Sequence, residues 1–325
     1  MRLVRREFLQ LASLAAAMSL LPPAAGAETY PARPVRFLVG FPAGGPNDIL
    51  GRLMAQWLSE RLGQPFVVEN IPGSSGNVAT EIVVRAPADG YTILLTGPAN
   101  AISGSLYPNL GFNFLRDIAP VAAITREPLV MVVHPSVPAR NVSEFIAYAN
   151  ASHAMLTMAS TGNGSSPHVT GELFKLTAKV PLRVVHYAGV GPALKAMIEG
   201  AAHMMFEPMS ASIEPVRNGK LRALAVTTIT RSAALPNVPP LSETVPGFEA
   251  SAVTGIGVPK STPAAIIAAL NKSVNAAFAD PTMKAKLADT GGTPLAGSPA
   301  DFAELLAAET EKWGRVVKAS GAKAN

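Results

Sequence analysis

Val35-Arg-Phe-Leu-Val-Gly-Phe-Pro-Ala-Gly-Gly-Pro-Asn-Asp48 is the stretch on which the fold turns. Val35–Phe41 is β-branched and aromatic and reads as a buried strand. The turn Pro42–Pro46 follows. Asn47 or Asp48 then stands where a helix cap is wanted, ahead of Ile49, Leu50, Leu53, Met54, Trp57, Leu58 and Leu62 at three-to-four spacing, with Gly63 as the stop. Working outward, Phe66–Glu69 is a second strand, Asn77–Arg85 a helix and Tyr91–Thr96 a third strand. That βαβαβ order predicts a mostly parallel sheet with helices on its faces.

The alternation resumes at Leu129–Val133. Helices are predicted over Ser143–Asn150, Pro167–Thr177, Pro192–Glu199 and Ser210–Asn218, with strands over Met155–Ala159, Arg183–His186, His203–Phe206 and Arg222–Thr227. A proline-rich connection, Ala234–Glu249, leads to a last strand near Val253–Val258. Two long helices follow, one capped by Thr262 with Pro263 at its first position. The other is capped by Ser298, with Pro299 first and Asp301 completing a capping-box pattern. The closing helices bring too few strands for a domain of their own. The simplest packing returns them to the first unit, giving lobe I over 28–125 plus 250–325 and lobe II over 126–249.

Open α/β sheets bind ligands beyond the carboxyl ends of their strands. The loops of interest are therefore Phe41–Asp48, Ile71–Asn77, Thr96–Ala101, Ser160–His168, Tyr187–Pro192 and Glu207–Ser210.

The chain of 325 residues is 48% hydrophobic and 15% charged, which excludes a disordered or acidic-tail protein. It has no cysteine, so disulfides, thiolate metal sites and a cysteine nucleophile are excluded. Its net charge of +5 falls to +3 once Arg2, Arg5, Arg6 and Glu7 are set aside, and no basic run remains for nucleic acid. Residues 1–27 read as an export signal: a basic start, an apolar stretch from Phe8 to Leu21, and Ala25-Gly26-Ala27 as the cleavage site. Arg5-Arg6 has the twin-arginine form. The mature chain is then expected in the periplasm, starting near Glu28.

The loop Phe41–Asp48 combines two glycines with a helix N-terminus, a combination that favours an anion. Pro46 stands where a phosphate loop needs lysine. Ser160-Thr-Gly-Asn-Gly-Ser-Ser-Pro-His168 is a second polar, glycine-rich loop before a helix, able to donate hydrogen bonds to a carboxylate. No serine carries the nucleophile-elbow glycines, and the five histidines form no metal motif. Catalytic, metal and cofactor sites are accordingly expected to be absent.

Tyr30-Pro-Ala-Arg-Pro34, Phe41-Pro-Ala-Gly-Gly45, Leu62-Gly-Gln-Pro65, Ala86-Pro-Ala-Asp-Gly-Tyr91, Val133-His-Pro-Ser136, Ser160–His168, Gly219–Val226 and Lys312-Trp-Gly-Arg315 together resemble the Bug family of periplasmic solute receptors, which serve tripartite tricarboxylate transporters. The resemblance spans about Tyr30 to Ala322. It implies a two-lobed α/β periplasmic-binding-protein fold of type 2 with a central ligand cleft, a small organic acid as ligand, permease subunits as partners, a monomeric receptor and no catalysis. It also implies that Phe41, Ala43, Gly44, Gly45, Ser160, Thr161, Asn163 and Ser165 hold the ligand carboxylate. Asn47, Thr96 and Glu207 join them as candidates from the strand-end loops. Where the family often has arginine, lysine and aspartate, this chain has Ile71, Ala188 and Glu207, which favours a ligand with a single carboxylate and an uncharged, aromatic or amino distal end. A periplasmic α/β hydrolase or lyase, and a sensor for a signalling partner, are the competing readings. The first lacks a base–nucleophile pair in the sequence.

Overall fold

The computed structural model describes residues 30–323, apart from 108 and 154. The export signal, its arginine pair and the cleavage near Ala27 lie outside the described residues.

Strands β1 (Val35–Val39), β2 (Phe66–Asn70) and β3 (Thr92–Thr96) alternate with helices α1 (Pro46–Leu62) and α2 (Asn77–Val84) in the predicted order. β1 pairs in parallel with both β2 and β3. Helix α3 (Pro98–Leu106) and the single turn α4 (Phe114–Asp117) lead into β4 (Ile118–Val133), a strand of 16 residues. Only its last portion, Leu129–Val133, is legible from the sequence. Pro120 and Pro128 make the earlier portion read as loop, and the strand accommodates the first with register shifts between Pro120 and Ala122 and between Ala123 and Thr125.

The second alternating series is α5 (Val142–Ala151), β5 (Leu156–Ser160), α6 (Ser166–Ala178), β6 (Leu182–His186), α7 (Val190–Ile198), β7 (Met204–Pro208), α8 (Met209–Arg217) and β8 (Arg222–Val226). The chain closes with β9 (Ser251–Pro259), α9 (Ala264–Ala277), α10 (Pro281–Asp289), the short β10 (Thr293–Pro294) and α11 (Pro299–Ser320). The strand order is β2-β1-β3-β9-β4-β7-β5-β6, with β8 and β10 also on β4. The sheet is mixed rather than mostly parallel. β5 is parallel to β6 and β7, but β9 enters antiparallel between β3 and β4, and β7 and β8 are antiparallel to β4. β4 thus serves both halves: Ile118–Pro128 pairs with β9, and Leu129–Val133 with β7 and β8. The described residues from Arg33 onward form one unit.

Local chemistry sets the helix ends. α1 is capped two residues before Asn47 and three before Asp48, the two caps predicted for it. Gly45 is its N-cap and Pro46 its first residue, because proline has the helical φ already and no N–H to leave unpaired. Thr262 does not cap α9 either. Its hydroxyl donates back to the Pro259 carbonyl (2.8 Å), and the Pro263 carbonyl accepts the first helical N–H groups. Ser298 does cap α11. Its Oγ accepts from the Asp301 N–H (3.1 Å) while the Asp301 carboxylate accepts from the Ser298 N–H (2.7 Å). Asp280 caps α10, a helix absent from the sequence reading although Asp280-Pro281 is its start signal.

Phe145, Phe174, Phe206 and Phe248 meet in tilted, edge and stacked contacts at the centre of the largest apolar cluster. Trp313 of α11 is fully buried in the same cluster and donates its indole N–H to Glu309 (2.8 Å).

Candidate functional site

A cavity of about 530 Å3 opens where the carboxyl ends of β1, β3, β5, β6 and β7 meet the starts of α1, α3, α6, α7 and α8. Five helix N-termini therefore bound one space. The first four N–H groups of a helix have no partner within it, and the helix dipole adds positive potential at that end. Among the described residues lining the cavity there is no lysine, arginine or histidine, and only Glu127 and Glu207 are ionisable carboxylic acids. Attraction for an anion therefore comes from main-chain N–H groups and dipoles and from neutral hydroxyl and amide donors such as Thr161, Ser165 and Asn47.

The first loop is held from behind. Asp48, buried in the third position of α1, accepts from the Gly44 N–H (2.9 Å), Arg52 Nε (3.0 Å) and Asn70 Nδ2 (2.9 Å). Burial alone would raise this carboxyl, but the hydrogen bonds from Arg52, Gly44 and Asn70 outweigh it and hold the group below the ordinary carboxylate range. Asn70 Nδ2 also donates to the Phe41 carbonyl (3.0 Å). Gly44 adopts φ +80°, which a side chain would strain.

The second loop is held by its own helix cap. Ser165 Oγ accepts from the His168 N–H, and His168 Nδ1 accepts from the Gly164 N–H (3.0 Å). His168 is buried with its ring edge-on to His186, centroids 4.7 Å apart. Burial, then the neighbouring His186 and Lys175, push it down to about 4, so it is neutral at physiological pH and free to accept that N–H.

Of the residues singled out by sequence, Phe41, Ala43, Gly44, Gly45, Asn47, Thr161, Ser165 and Glu207 line the cavity. Three lie behind its wall. Ser160 is fully buried with its hydroxyl on His186 Nδ1 (2.7 Å). Thr96 is buried in β3. Asn163 turns its side-chain Nδ2 to the Lys323 carbonyl (2.6 Å), and its main-chain carbonyl accepts from the Ser75 and Tyr107 hydroxyls. Every strand-end loop of interest contributes to the lining except Ile71–Asn77. The sequence reading missed Glu127 and Ala252, on strand portions that it did not assign or placed too short, and Thr254, which lies inside the strand it placed near Val253–Val258.

Glu207 sits inside β7, not in the loop after it, and is 0% exposed. Neither carboxyl oxygen has a hydrogen-bond partner among the described residues. Burial, then the nearby Glu127, raises it well above the ordinary range. Glu127 is half-buried on β4, and its Oε1 accepts from the Ser210 N–H at the start of α8 (2.8 Å). Burial pushes it up to about 7, against the hydrogen bonds from Ser210.

The profile of the family described as "Tripartite tricarboxylate transporter family receptor" (TctC) matches residues 50–322. The chain is 35% identical to Protein BugT of Bordetella pertussis over 97% of this chain and 96% of that protein. An R. palustris protein solved with adipate superposes with TM-score 0.86 at 36% identity, covering 90% of this chain and 98% of that one. MatC from Rhodopseudomonas palustris, with bound malate, gives TM-score 0.82 at 31% identity over 89% of this chain and all of its own. Among the described residues no helix is long and apolar enough to cross a membrane.

Proposed function

The chain belongs to the tripartite tricarboxylate transporter receptor family, a family of solute receptors and not of enzymes, and from that premise we propose that it captures a small organic acid in this cavity and delivers it to the permease subunits of a membrane transporter. One observation carries the ligand class: five helix N-termini surround a cavity that, among the described residues, is lined by no basic side chain. Such an arrangement stabilises a carboxylate through main-chain N–H groups and dipoles. The solved relatives with adipate and malate support the same class.

In this reading Phe41, Ala43, Gly44, Gly45 and Asn47 from the first loop and Thr161 and Ser165 from the second grip the carboxylate. Thr96, Ser160 and Asn163 shape the loops from behind. The two loops belong to separate lobes, 28–125 plus 250–325 and 126–249, that close over the ligand by bending at the crossovers. The receptor works as a monomer. It reaches the periplasm by the twin-arginine route and is cut near Ala27, as the basic pair Arg5-Arg6 and the small residues Ala25–Ala27 suggest.

Calorimetric titration of the mature chain with mono-, di- and tricarboxylates tests the reading. Saturable one-to-one binding of at least one acid, with the acid recovered unchanged, is expected. Turnover of the bound acid, or binding of none, would overturn it.

A further inference from the structure

Main-chain N–H groups account for one end of a ligand. The Glu127–Glu207 wall is left for the other. A carboxyl group with no exposure and no hydrogen-bond partner is costly to keep in either protonation state, and an ionised one needs a cation. The described protein supplies none in the cavity. We propose that Glu207 and Glu127 form an ammonium-binding pole, so that the cargo is an amino-bearing carboxylic acid. Its carboxylate meets the helix N-termini and its ammonium meets the two glutamates. This deepens the receptor reading above and rests on it.

The donor and acceptor inventory fits. An ammonium has three N–H donors and no acceptor. Glu207 offers two unused oxygens. Glu127 offers Oε2, since its Oε1 is taken by the Ser210 N–H. Among the described residues lining the cavity no other titratable side chain is present: β9 contributes Ala252 and Thr254, the start of α8 contributes Ser210 and Ala211, and the start of α1 contributes Asn47. A second carboxylate at this pole would meet two acidic groups, and both would have to stay protonated to receive it.

Proton release follows from the same geometry. Burial, then the neighbouring Glu127, favours the protonated form of Glu207, and Glu127, pushed up to about 7, is part-protonated near neutral pH. An ammonium favours the ionised forms, so protons leave to bulk water as the ligand enters.

The experiment is calorimetric titration of the mature chain at pH 7 in two buffers of different ionisation enthalpy. The probes are butanoate, 4-aminobutanoate, 2-aminobutanoate and succinate, then hexanoate, 6-aminohexanoate, 2-aminohexanoate and adipate. In at least one set an amino acid should bind tenfold or more tightly than both the unsubstituted acid and the diacid, with net proton release. In Glu207→Gln that preference should fall to within threefold, and in Glu127→Gln the proton release should shrink. Thermal melting without ligand reports whether either variant is folded. Should Glu207→Gln fail to fold, the proton release in the wild type and its loss in Glu127→Gln decide the matter. A diacid that binds best with proton uptake, or an amino preference that survives Glu207→Gln, overturns the proposal. Binding of unsubstituted acids with no amino preference removes it and leaves the receptor reading standing. Binding of no acid removes both.

Discussion

The Asp48 carboxylate accepts the Gly44 N–H at 2.9 Å, joining the third residue of α1 to the loop that precedes it. The same carboxylate holds Arg52 and Asn70, so one buried group positions the Phe41–Asp48 loop against β2. Asp48→Ala should cost about 2–4 kcal/mol in chemical denaturation, the range for losing charged hydrogen bonds at a buried group. It should also weaken carboxylate binding, because Gly44 loses its anchor. The pH dependence has a definite sign. The folded-state carboxyl is held low, so its contribution is complete above the ordinary carboxylate range and is lost as pH falls through the folded value. In Asp48→Asn this loss below about pH 4 should be smaller than in the wild type.

Glu127 acts in the opposite direction. Its folded-state value of about 7 lies above the ordinary 4.5, so the folded protein holds the proton where the unfolded chain has released it. Stability should decline as pH rises from about 4.5 to about 7 and then level off, by up to ~3 kcal/mol for this group. Glu207 adds to the same trend. Urea midpoints measured between pH 4 and 8 check it, and Glu127→Gln should flatten the decline.

Ser165 and Ser298 are both helix caps, but only Ser165 lines the cavity. Replacing either with alanine should cost ~1 kcal/mol of stability. Ser165→Ala should in addition weaken carboxylate binding by about tenfold, the effect of one hydrogen bond to a charged group. Ser298→Ala should leave the dissociation constant where it was. Melting temperature and calorimetry on the pair separate the two roles.

Gly40 lies between β1 and the anion loop, and a Cβ there would come within 2.6 Å of the Gly76 main chain. Main chain cannot step aside as a side-chain tip can. Gly40→Ala should therefore destabilise by about 1–3 kcal/mol, and by displacing Phe41 it should reduce affinity as well. Equal stability and affinity in the variant would show that the two loops separate freely.

The parts of the fold that repeat a local rule were readable in the sequence. β1, the Phe41–Gly45 turn and α1 announce themselves through an apolar run, a glycine pair and three-to-four spacing, and Ser298–Asp301 announces α11. What was not readable depends on partners far along the chain. Ile118–Pro128 carries two prolines, an arginine and a glutamate, and becomes a strand because β9 arrives beside it. Glu127, the second carboxyl of the cavity wall beside Glu207, was hidden with it. Asn163 looks like a ligand donor in the sequence, but its amide is turned to Lys323, a contact that spacing cannot reveal. Ser165 had been expected to matter for binding alone, and its burial and capping bond give it a structural share.

The 16-residue strand β4 also sets a timetable. Its partners β7, β8, β9 and β10 all follow it in the chain, and β9 is likewise the second neighbour of β3. While the polypeptide is being synthesised, β3 and β4 have open edges until Ser251–Pro259 emerges. At about 5–20 residues per second that interval is on the order of ten seconds after β3 is made. The opening βαβαβ segment therefore has no finished sheet to join on the ribosome, and a chain interrupted before β9 should remain protease-sensitive over β1–β3 and Ile118–Pro128, the parts that β9 joins.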